Sequence, residues 1–253
     1  MVKVGIVGLT GCSGCQCEIL NCQDALLELL SLVDFALFPL AKDGEFDGEL
    51  DLLFVEGSVS TSPDKEKLLK LREKAKILVA VGSCACYGGV QAQRNDEAEL
   101  EQMVREVYGR WKPPFELFKP SPLSDFVEVD YFLSGCPVDR KQFVYTVASL
   151  LNGVKPFFPK LPVCHECRLS ENECLLLKGI PCQGPVSYAG CGAPCTAKGV
   201  GCQGCRGDCD FPNHQEMLSL LTQRGLSYED AVKFLKVFRG NSFKVRGLNE
   251  KGA

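Results

Sequence analysis

Short apolar and β-branched runs recur through the first 150 residues and are separated by segments with helical spacing. Runs of this length, bounded by glycine or charged residues, are typical of buried strands. The sequence therefore predicts five strands, at 2–9, 34–38, 51–57, 75–82 and 126–135.

Four amphipathic segments alternate with these strands. They lie at 17–32, at 62–75 after a Ser-Pro start, at 96–108, and at 137–153 with proline in its first turn and glycine at its end. Strands that alternate with helices predict a parallel sheet covered on both faces. We therefore expect an α/β fold, a flavodoxin-like doubly wound sheet, with ligands beyond the carboxyl ends of its strands.

The character of the chain changes after a proline-rich stretch at 154–163, beyond which it is short in apolar runs and rich in glycine and cysteine. We place a boundary here and expect two domains, 1–155 and 156–253. Because the second has few long apolar runs, we expect bound metal to supply its cohesion. Helical spacing at 214–238 predicts a tail that packs back on the body.

Charge and composition exclude some classes of partner. The chain has 253 residues, 45% of them hydrophobic, with 28 Lys and Arg against 32 Asp and Glu. A net charge of -4 argues against a nucleic-acid partner, which needs a basic face. No export signal, twin-arginine pair or apolar stretch of about 18 to 20 residues is evident, so we expect a cytoplasmic protein without direct membrane insertion.

Sixteen cysteines stand beside only two histidines. A reducing cytosol disfavours disulfides, except in hyperthermophiles, so metal binding is the better explanation. Four of these cysteines, in the first region, each follow a predicted strand and have glycine nearby: Cys12, Cys15, Cys84 and Cys136. Strand exits share one edge of a parallel sheet, so the four thiols are expected to converge. The pattern favours a 4Fe-4S cluster over zinc, because zinc sites usually have two closely spaced pairs.

The second region holds two further sets of four cysteines. Their spacings are C-x2-C-x6-C-x7-C, for Cys164, Cys167, Cys174 and Cys182, and C-x3-C-x6-C-x2-C, for Cys191, Cys195, Cys202 and Cys205. Spacing alone leaves zinc and iron-sulfur equally open here. The cysteine-only site in the first region favours a row of electron carriers.

At this point the chain resembles a known family, the small subunit of nickel-iron hydrogenases, over about residues 2–211. TGCSGC resembles the family's C-x-G-C, GSCACYGG its G-S/T-C-A-x-x-G-G, SGCP its G-C-P, and FVEGSV its V-E-G strand end. CQGPVSYAGC and GCQGC resemble the segments that carry the family's distal and medial ligands.

The resemblance implies three roles for the three quartets. Cys12, Cys15, Cys84 and Cys136 would hold a proximal cluster that faces the nickel-iron site of a separate large subunit. Cys164, Cys167, Cys174 and Cys182 would hold the distal cluster, and Cys191, Cys195, Cys202 and Cys205 the medial one. The periplasmic form has histidine in place of Cys164 and no counterpart of Cys195. These departures imply three 4Fe-4S clusters, as in cytoplasmic methyl-viologen-reducing hydrogenases and sulfhydrogenases.

The implied function is electron transfer. Electrons from the large subunit would pass along the clusters to a flavin or iron-sulfur acceptor subunit, while this chain itself would not split hydrogen. Two alternatives stay open: a quinone-reductase subunit of the complex I kind, whose adjacent cysteine pair is missing here, and a zinc-stapled interaction protein.

Several residues are left outside this scheme. Cys17, Cys22, Cys86 and Cys209 are expected to be spare buried thiols, with ligand exchange as the alternative. His165 is expected to face solvent, although it could replace Cys164, and His214 to start a helix. Glu18 is expected to be a helix-start acid favoured by the dipole, or a proton carrier. Glu56 is expected to influence the proximal cluster or the subunit interface, or to be a solvated or capping acid.

Overall fold

The computed structural model describes residues 1–44, 46–93, 99–110 and 113–240. Its strands are β1 Val2–Gly8, β2 Val33–Leu37, β3 Leu50–Glu56, β4 Val59–Thr61, β5 Ala75–Val81, β6 Leu117–Ser121 and β7 Tyr131–Leu133. Its α-helices are α1 Gly14–Leu20, α2 Asp24–Leu32, α3 Ser62–Lys74, α4 Gly82–Tyr87, α5 Leu100–Tyr108, α6 Arg140–Leu151, α7 Val163–Leu169, α8 Pro194–Ala197, α9 His214–Gln223 and α10 Tyr228–Lys236.

The five predicted strands form one parallel sheet in the order β2-β1-β3-β5-β7. This is the strand order of the flavodoxin-like arrangement, so the predicted fold is confirmed. The carboxyl ends of β1, β3, β5 and β7 therefore lie along one edge of the sheet. That edge carries the first set of cysteines.

Some element boundaries differ from those predicted. The helix expected at 17–32 is two helices, because the backbone turns at Asn21–Gln23 and Gln23 adopts a positive φ of 53°. The last strand is shorter than expected, since Phe126 and Val127 bond back to Leu123 in a helical turn. Residues 96–98 of the third predicted helix lie outside the described residues, and its described part is α5.

A small antiparallel pair, β4 with β6, was not predicted. It lies beside the start of α3, where Thr61 and Asp64 form a capping box that fixes the first turn of the helix. Strand β4 begins three residues after β3 ends, so the pair lies just beyond the carboxyl end of β3.

Two apolar layers cover the faces of the sheet. One contains Phe54, packed against Phe143 of α6 with ring centroids 5.2 Å apart. The other contains Leu53 and Leu68, both fully buried, and includes the inner side of α3. Burial on both faces explains why β3 and β5 read as nearly continuous hydrophobic runs.

The expectation that metal alone gives the second region its cohesion is wrong. Buried residues of this region form a hydrophobic core of their own, in which Met217, Leu218 and Leu221 of α9 and Leu235 of α10 pack under the cysteine-rich loops. The apolar residues are spaced along two amphipathic helices, so no long run marks them in the sequence. The prediction that the tail packs back on the body is confirmed for residues 214–238.

None of the described helices is long and apolar enough to cross a membrane.

Candidate metal centres

The first quartet lies at the carboxyl edge of the sheet, as predicted. Cys12 is exposed in the loop after β1, Cys15 is buried in the first turn of α1, Cys84 is half-buried in α4, and Cys136 is exposed just after β7. The sheet topology therefore brings together thiols that are separated by as many as 124 residues, from 12 to 136.

The electrostatics of the four thiols show that they are neighbours. Burial, followed by the charges of Cys136 and Cys12, raises the pKa of the Cys84 thiol to about 12. Burial, then Cys205, Cys12 and Glu56, raises the pKa of Cys136 to about 11. The pKa of the Cys15 thiol is also raised, chiefly by burial and next by the charge of Glu56. Thiolates here need a compensating cation, which iron or another metal would supply.

Two glycines leave room for these thiols. A Cβ at Gly82, where φ is +82°, would lie 2.5 Å from Sγ of Cys15. A Cβ at Gly89, where φ is +69°, would lie 2.6 Å from Sγ of Cys84. Both positions need glycine for its positive φ and for the missing side chain.

The carboxylate of Glu56 fixes the loop that carries Cys15. It is 5% exposed at the end of β3. One oxygen accepts the backbone N–H of Cys15 at 3.0 Å, and the other accepts the backbone N–H of Gln16 at 3.2 Å and its side-chain amide at 2.9 Å. The carboxyl group of Glu56 is thus buried against the first quartet and caps the first turn of α1. The alternative of a solvated Glu56 is therefore wrong, and that of a capping acid is confirmed.

The quartet Cys164, Cys167, Cys174 and Cys182 assembles around α7. Cys164 and Cys167 lie three residues apart on this helix and share one of its faces. Gly184 stands between two ligand candidates, since its Cβ would lie 3.2 Å from Sγ of Cys164 and 3.5 Å from Sγ of Cys182. Burial, then Cys182, Cys167 and Cys174, raises the pKa of Cys164 to about 11.

The quartet Cys191, Cys195, Cys202 and Cys205 borders a cavity of about 750 Å³, which Cys191, Cys195 and Cys205 line together with Cys136. Burial raises the pKa of Cys202 to about 12; the charges of Cys182 and Cys205 add to this increase, and a hydrogen bond from the backbone N–H of Gly204 reduces it. A hydrogen bond from the backbone N–H of Ala193 likewise lowers the pKa of Cys191, which burial raises. Such amides are suited to stabilise a thiolate that ligates metal.

This last quartet lies between the other two. On one side, the hydroxyl of Ser83 donates to the carbonyl of Cys205, and the charges of Cys136 and Cys205 interact. On the other side, the backbone N–H of Cys202 donates to Sγ of Cys182 at 3.2 Å. The three quartets therefore form a row in which the set 191–205 is central.

The donor set fits iron-sulfur clusters. Each quartet is made only of thiols, and backbone N–H groups are directed at sulfur in all three. In the first two quartets named, glycine stands at the point of closest approach. Over residues 1–44, 46–93, 99–110 and 113–240, no three His, Cys, Asp or Glu side chains are arranged to bind one metal ion.

Most of the remaining cysteines and histidines match the prediction. Cys22, Cys86 and Cys209 are buried, and each thiol donates to a backbone carbonyl at 3.6 Å. Cys17 is exposed, so the expectation of burial is wrong for it. His165 faces solvent, as predicted. His214 starts α9, as predicted, but it is also largely buried and its Nε2 bonds Asp208 at 2.9 Å.

Glu18 is not a helix-start acid. The first turn of α1 contains no acidic residue, and Glu18 follows one turn later. It forms an ion pair with Arg140 at the start of α6, which lowers its pKa, chiefly through the hydrogen bond from that guanidinium.

Two buried arginines were missed by sequence reasoning. Arg206, 3% exposed and next to Cys205, stacks its guanidinium 4.7 Å from the ring centroid of Tyr188. Arg239 is fully buried and donates to Asp208 and Gln183. Arginine is usually a surface residue, and only the position of Arg206 beside Cys205, a ligand candidate, could have drawn attention to it.

Known proteins match this arrangement. A family model described as the NADH ubiquinone oxidoreductase 20 Kd subunit matches residues 12–150. The sulfhydrogenase 2 subunit delta of Pyrococcus furiosus is 38% identical over 94% of this chain and 99% of its own length. An F420-non-reducing hydrogenase subunit of Methanocaldococcus jannaschii is 34% identical over 94% of each chain.

Solved structures agree. A chain of an NAD+-reducing NiFe-hydrogenase in the H2-reduced state is 32% identical with a TM-score of 0.57, covering 62% of this chain and 95% of that one. A chain of the Ni-Fe-Se hydrogenase of Desulfomicrobium baculatum, 22% identical with a TM-score of 0.54 over 83% and 96% of the two chains, shares the fold. This chain belongs to the NADH ubiquinone oxidoreductase 20 Kd subunit family and, within it, to the small subunits of nickel-iron hydrogenases.

Proposed function

We propose that this hydrogenase small subunit holds three 4Fe-4S clusters and passes electrons between the nickel-iron site of a partner large subunit and a flavin- or iron-sulfur-containing acceptor. The single observation that carries the proposal is the row of three thiol quartets, each with its own glycine or amide contacts to sulfur. Two separate quartets could be purely structural metal sites, but a row of three quartets with one in the middle suits stepwise electron transfer.

The assignment of ligands follows the row. The proximal cluster would be held by Cys12, Cys15, Cys84 and Cys136, the medial cluster by Cys191, Cys195, Cys202 and Cys205, and the distal cluster by Cys164, Cys167, Cys174 and Cys182. When bound, such clusters supply one-electron carriers whose potentials depend on charge, hydrogen bonds and solvent exposure.

The residues of the chain have defined tasks in this relay. Glu56 orients the Cys15 turn through two backbone amides. Cys12 and Cys136 are the exposed members of the first quartet, which suits a face covered by the large subunit. Cys174 is exposed at the other end of the row, which suits electron exit to the acceptor.

Two further assignments are part of the proposal. We divide the chain at 155/156, with support from the separate apolar core formed by α9, α10 and the cysteine-rich loops. We also place the complex in the cytoplasm, without nucleic-acid partners, in keeping with the acidic charge balance of the chain.

A complex I-type subunit is the second candidate, because the matching family model is described by a quinone-reductase subunit. That model ends at residue 150, before the eight ligand candidates of the second region. The sulfhydrogenase delta relative spans nearly the whole chain, including this region. The longer match to the sulfhydrogenase delta relative therefore favours the hydrogenase role.

The test uses the anaerobic complex of this chain with its large subunit. Under hydrogen, the visible absorption of the clusters should bleach in the wild type and in the control Cys17→Ala, whose thiol is exposed and outside the quartets. In Cys15→Ala, hydrogen should leave the remaining clusters oxidised, although dithionite still reduces them. Bleaching of Cys15→Ala by hydrogen at the wild-type rate would contradict the proposed path.

A further inference from the structure

Ser83 links ligand candidates of two different quartets. It directly precedes Cys84 and is 2% exposed. Its backbone N–H donates to the carbonyl of Gly135, the neighbour of Cys136, at 2.9 Å. Its hydroxyl donates to the carbonyl of Cys205, which belongs to the central quartet. One buried serine therefore connects two ligand loops of the first quartet to a ligand of the central one.

Two further hydroxyls hold the next peptide of the same turn. The carbonyl of Arg206 accepts the hydroxyl of Ser134 at 2.8 Å and that of Tyr87 at 3.2 Å. Ser134 is 3% exposed and directly follows β7. The ring of Tyr87 also packs on the backbone of this turn, since a Cβ at Gly207, where φ is +78°, would lie 2.5 Å from it. Two successive carbonyls of the central quartet's turn are thus held by side chains of the first region.

The side chain of Arg206 makes a second link between the two regions. Its Nη2 donates to Oε1 of Gln142 on α6, and the Gln142 amide donates to the carbonyl of Gly190 at 3.0 Å. Its Nε donates to the carbonyl of Ala189 at 2.8 Å. Since Gly190 adjoins Cys191, the other ligand loop of the central quartet is also bonded to the first region.

Hydroxyls that donate to buried carbonyls fix the backbone in place, because a carbonyl that loses its donor is left unsatisfied. We propose that Ser83 and Ser134 are positioning residues, which hold the turn 204–207 against the ends of β5 and β7 and so set the separation of the first and central metal centres. The inference rests on the proposed function, since it presumes that both quartets hold clusters. One electron leaves the first centre and enters the central one in this step, with no bond formed or broken, and its rate falls steeply with their separation.

The test uses the anaerobic complex with the large subunit and the double variant Ser83→Ala/Ser134→Ala. The carbonyl of Cys205 then loses the Ser83 hydroxyl, and a loss of this kind changes a local equilibrium by about fivefold to 150-fold. Deuterium exchange at the amide of Gly207, which bonds the carbonyl of Gly204 at 3.0 Å, should therefore quicken by at least about fivefold.

Two further measurements report on the separation itself. In electron paramagnetic resonance, the magnetic interaction between the reduced first and central clusters should weaken in the double variant, while the midpoint potentials stay in place. Under hydrogen, the first cluster should be reduced at the wild-type rate, whereas reduction of the other two should lag behind it. Ser83→Thr, which keeps the hydroxyl, should behave as the wild type. The control Thr146→Val removes a buried hydroxyl that donates within α6 and should leave all three measurements unchanged.

Iron and sulfide analysis of each sample separates the possible failures. Wild-type protein without clusters would contradict the proposed function itself. Intact clusters in the double variant, with an unchanged magnetic interaction and no lag, would overturn the positioning role even if the variant were less stable. Midpoint potentials that move while the magnetic interaction stays constant would equally overturn it.

A second variant keeps the inference testable if the double variant loses its clusters. Ser134→Ala leaves Ser83 in place and leaves the Tyr87 hydroxyl on the carbonyl of Arg206. It should therefore show the same three changes to a smaller extent. Clusters that are intact in Ser134→Ala, with neither faster exchange at Gly207 nor a weaker magnetic interaction, would refute the inference.

Discussion

Arg239 ties the C-terminal tail to the cysteine-rich region, and its replacement by methionine should cost about 3–5 kcal/mol of local stability. Its guanidinium is fully buried and donates to Gln183, Asp208, Ser187 and the carbonyl of Leu235. Methionine fills much of the space but donates nothing. The side-chain oxygen of Gln183, in a residue with no exposed surface, would then lack a partner, at about 1–3 kcal/mol.

The rest of the cost comes from Asp208, which keeps His214 as a partner but loses its arginine. At 1.4 kcal/mol per factor of ten, backbone amides of residues 214–235 should exchange with deuterium about a hundredfold to a few thousandfold faster in Arg239→Met. Mass spectrometry of peptides from α9 and α10 measures this directly. The exposed Arg224, at the end of α9, gives a matched control, Arg224→Met, that should leave exchange unchanged. A change below about fivefold in Arg239→Met would refute the reasoning.

Other predictions concern the proposed cluster sites. Cys195→Ala removes the exposed member of the central quartet and should convert one centre to a 3Fe-4S signal in the oxidised protein. The control Cys209→Ala should keep all three four-iron centres. Three intact four-iron centres in Cys195→Ala would show that the medial assignment is wrong. Gly82→Ala places a methyl group 2.5 Å from Sγ of Cys15 at a φ of +82° and should lower the iron content by about one cluster in three. In the control Gly179→Ala, the added Cβ meets nothing within 4 Å, so this variant should keep its full iron content. Equal iron content in both variants would contradict the role of Gly82.

The sheet and its ligand edge could be predicted from the sequence because both depend on local signals. A run such as that of β3 is buried on both faces and so is apolar throughout, and the cysteines stand directly after such runs. Parallel topology then brings Cys12 and Cys136 together without further information. The order of the two quartets in the second region came from the family resemblance, and the contact of Cys202 with Cys182 now supports it.

The rest depends on tertiary contacts that no local pattern marks. The core under the cysteine-rich loops is assembled from Met217, Leu221 and Leu235, which sequence reasoning assigned to a tail. Arg206 and Arg239 are buried because particular carbonyls and side-chain oxygens surround them. Spacing in the sequence does not encode such partners.

The central claim is tested most directly by iron, zinc and acid-labile sulfide per chain in protein purified without oxygen. Three 4Fe-4S clusters predict about twelve irons and about twelve sulfides, with no stoichiometric zinc. Two or three zincs per chain without sulfide would contradict the account and leave the quartets as structural staples.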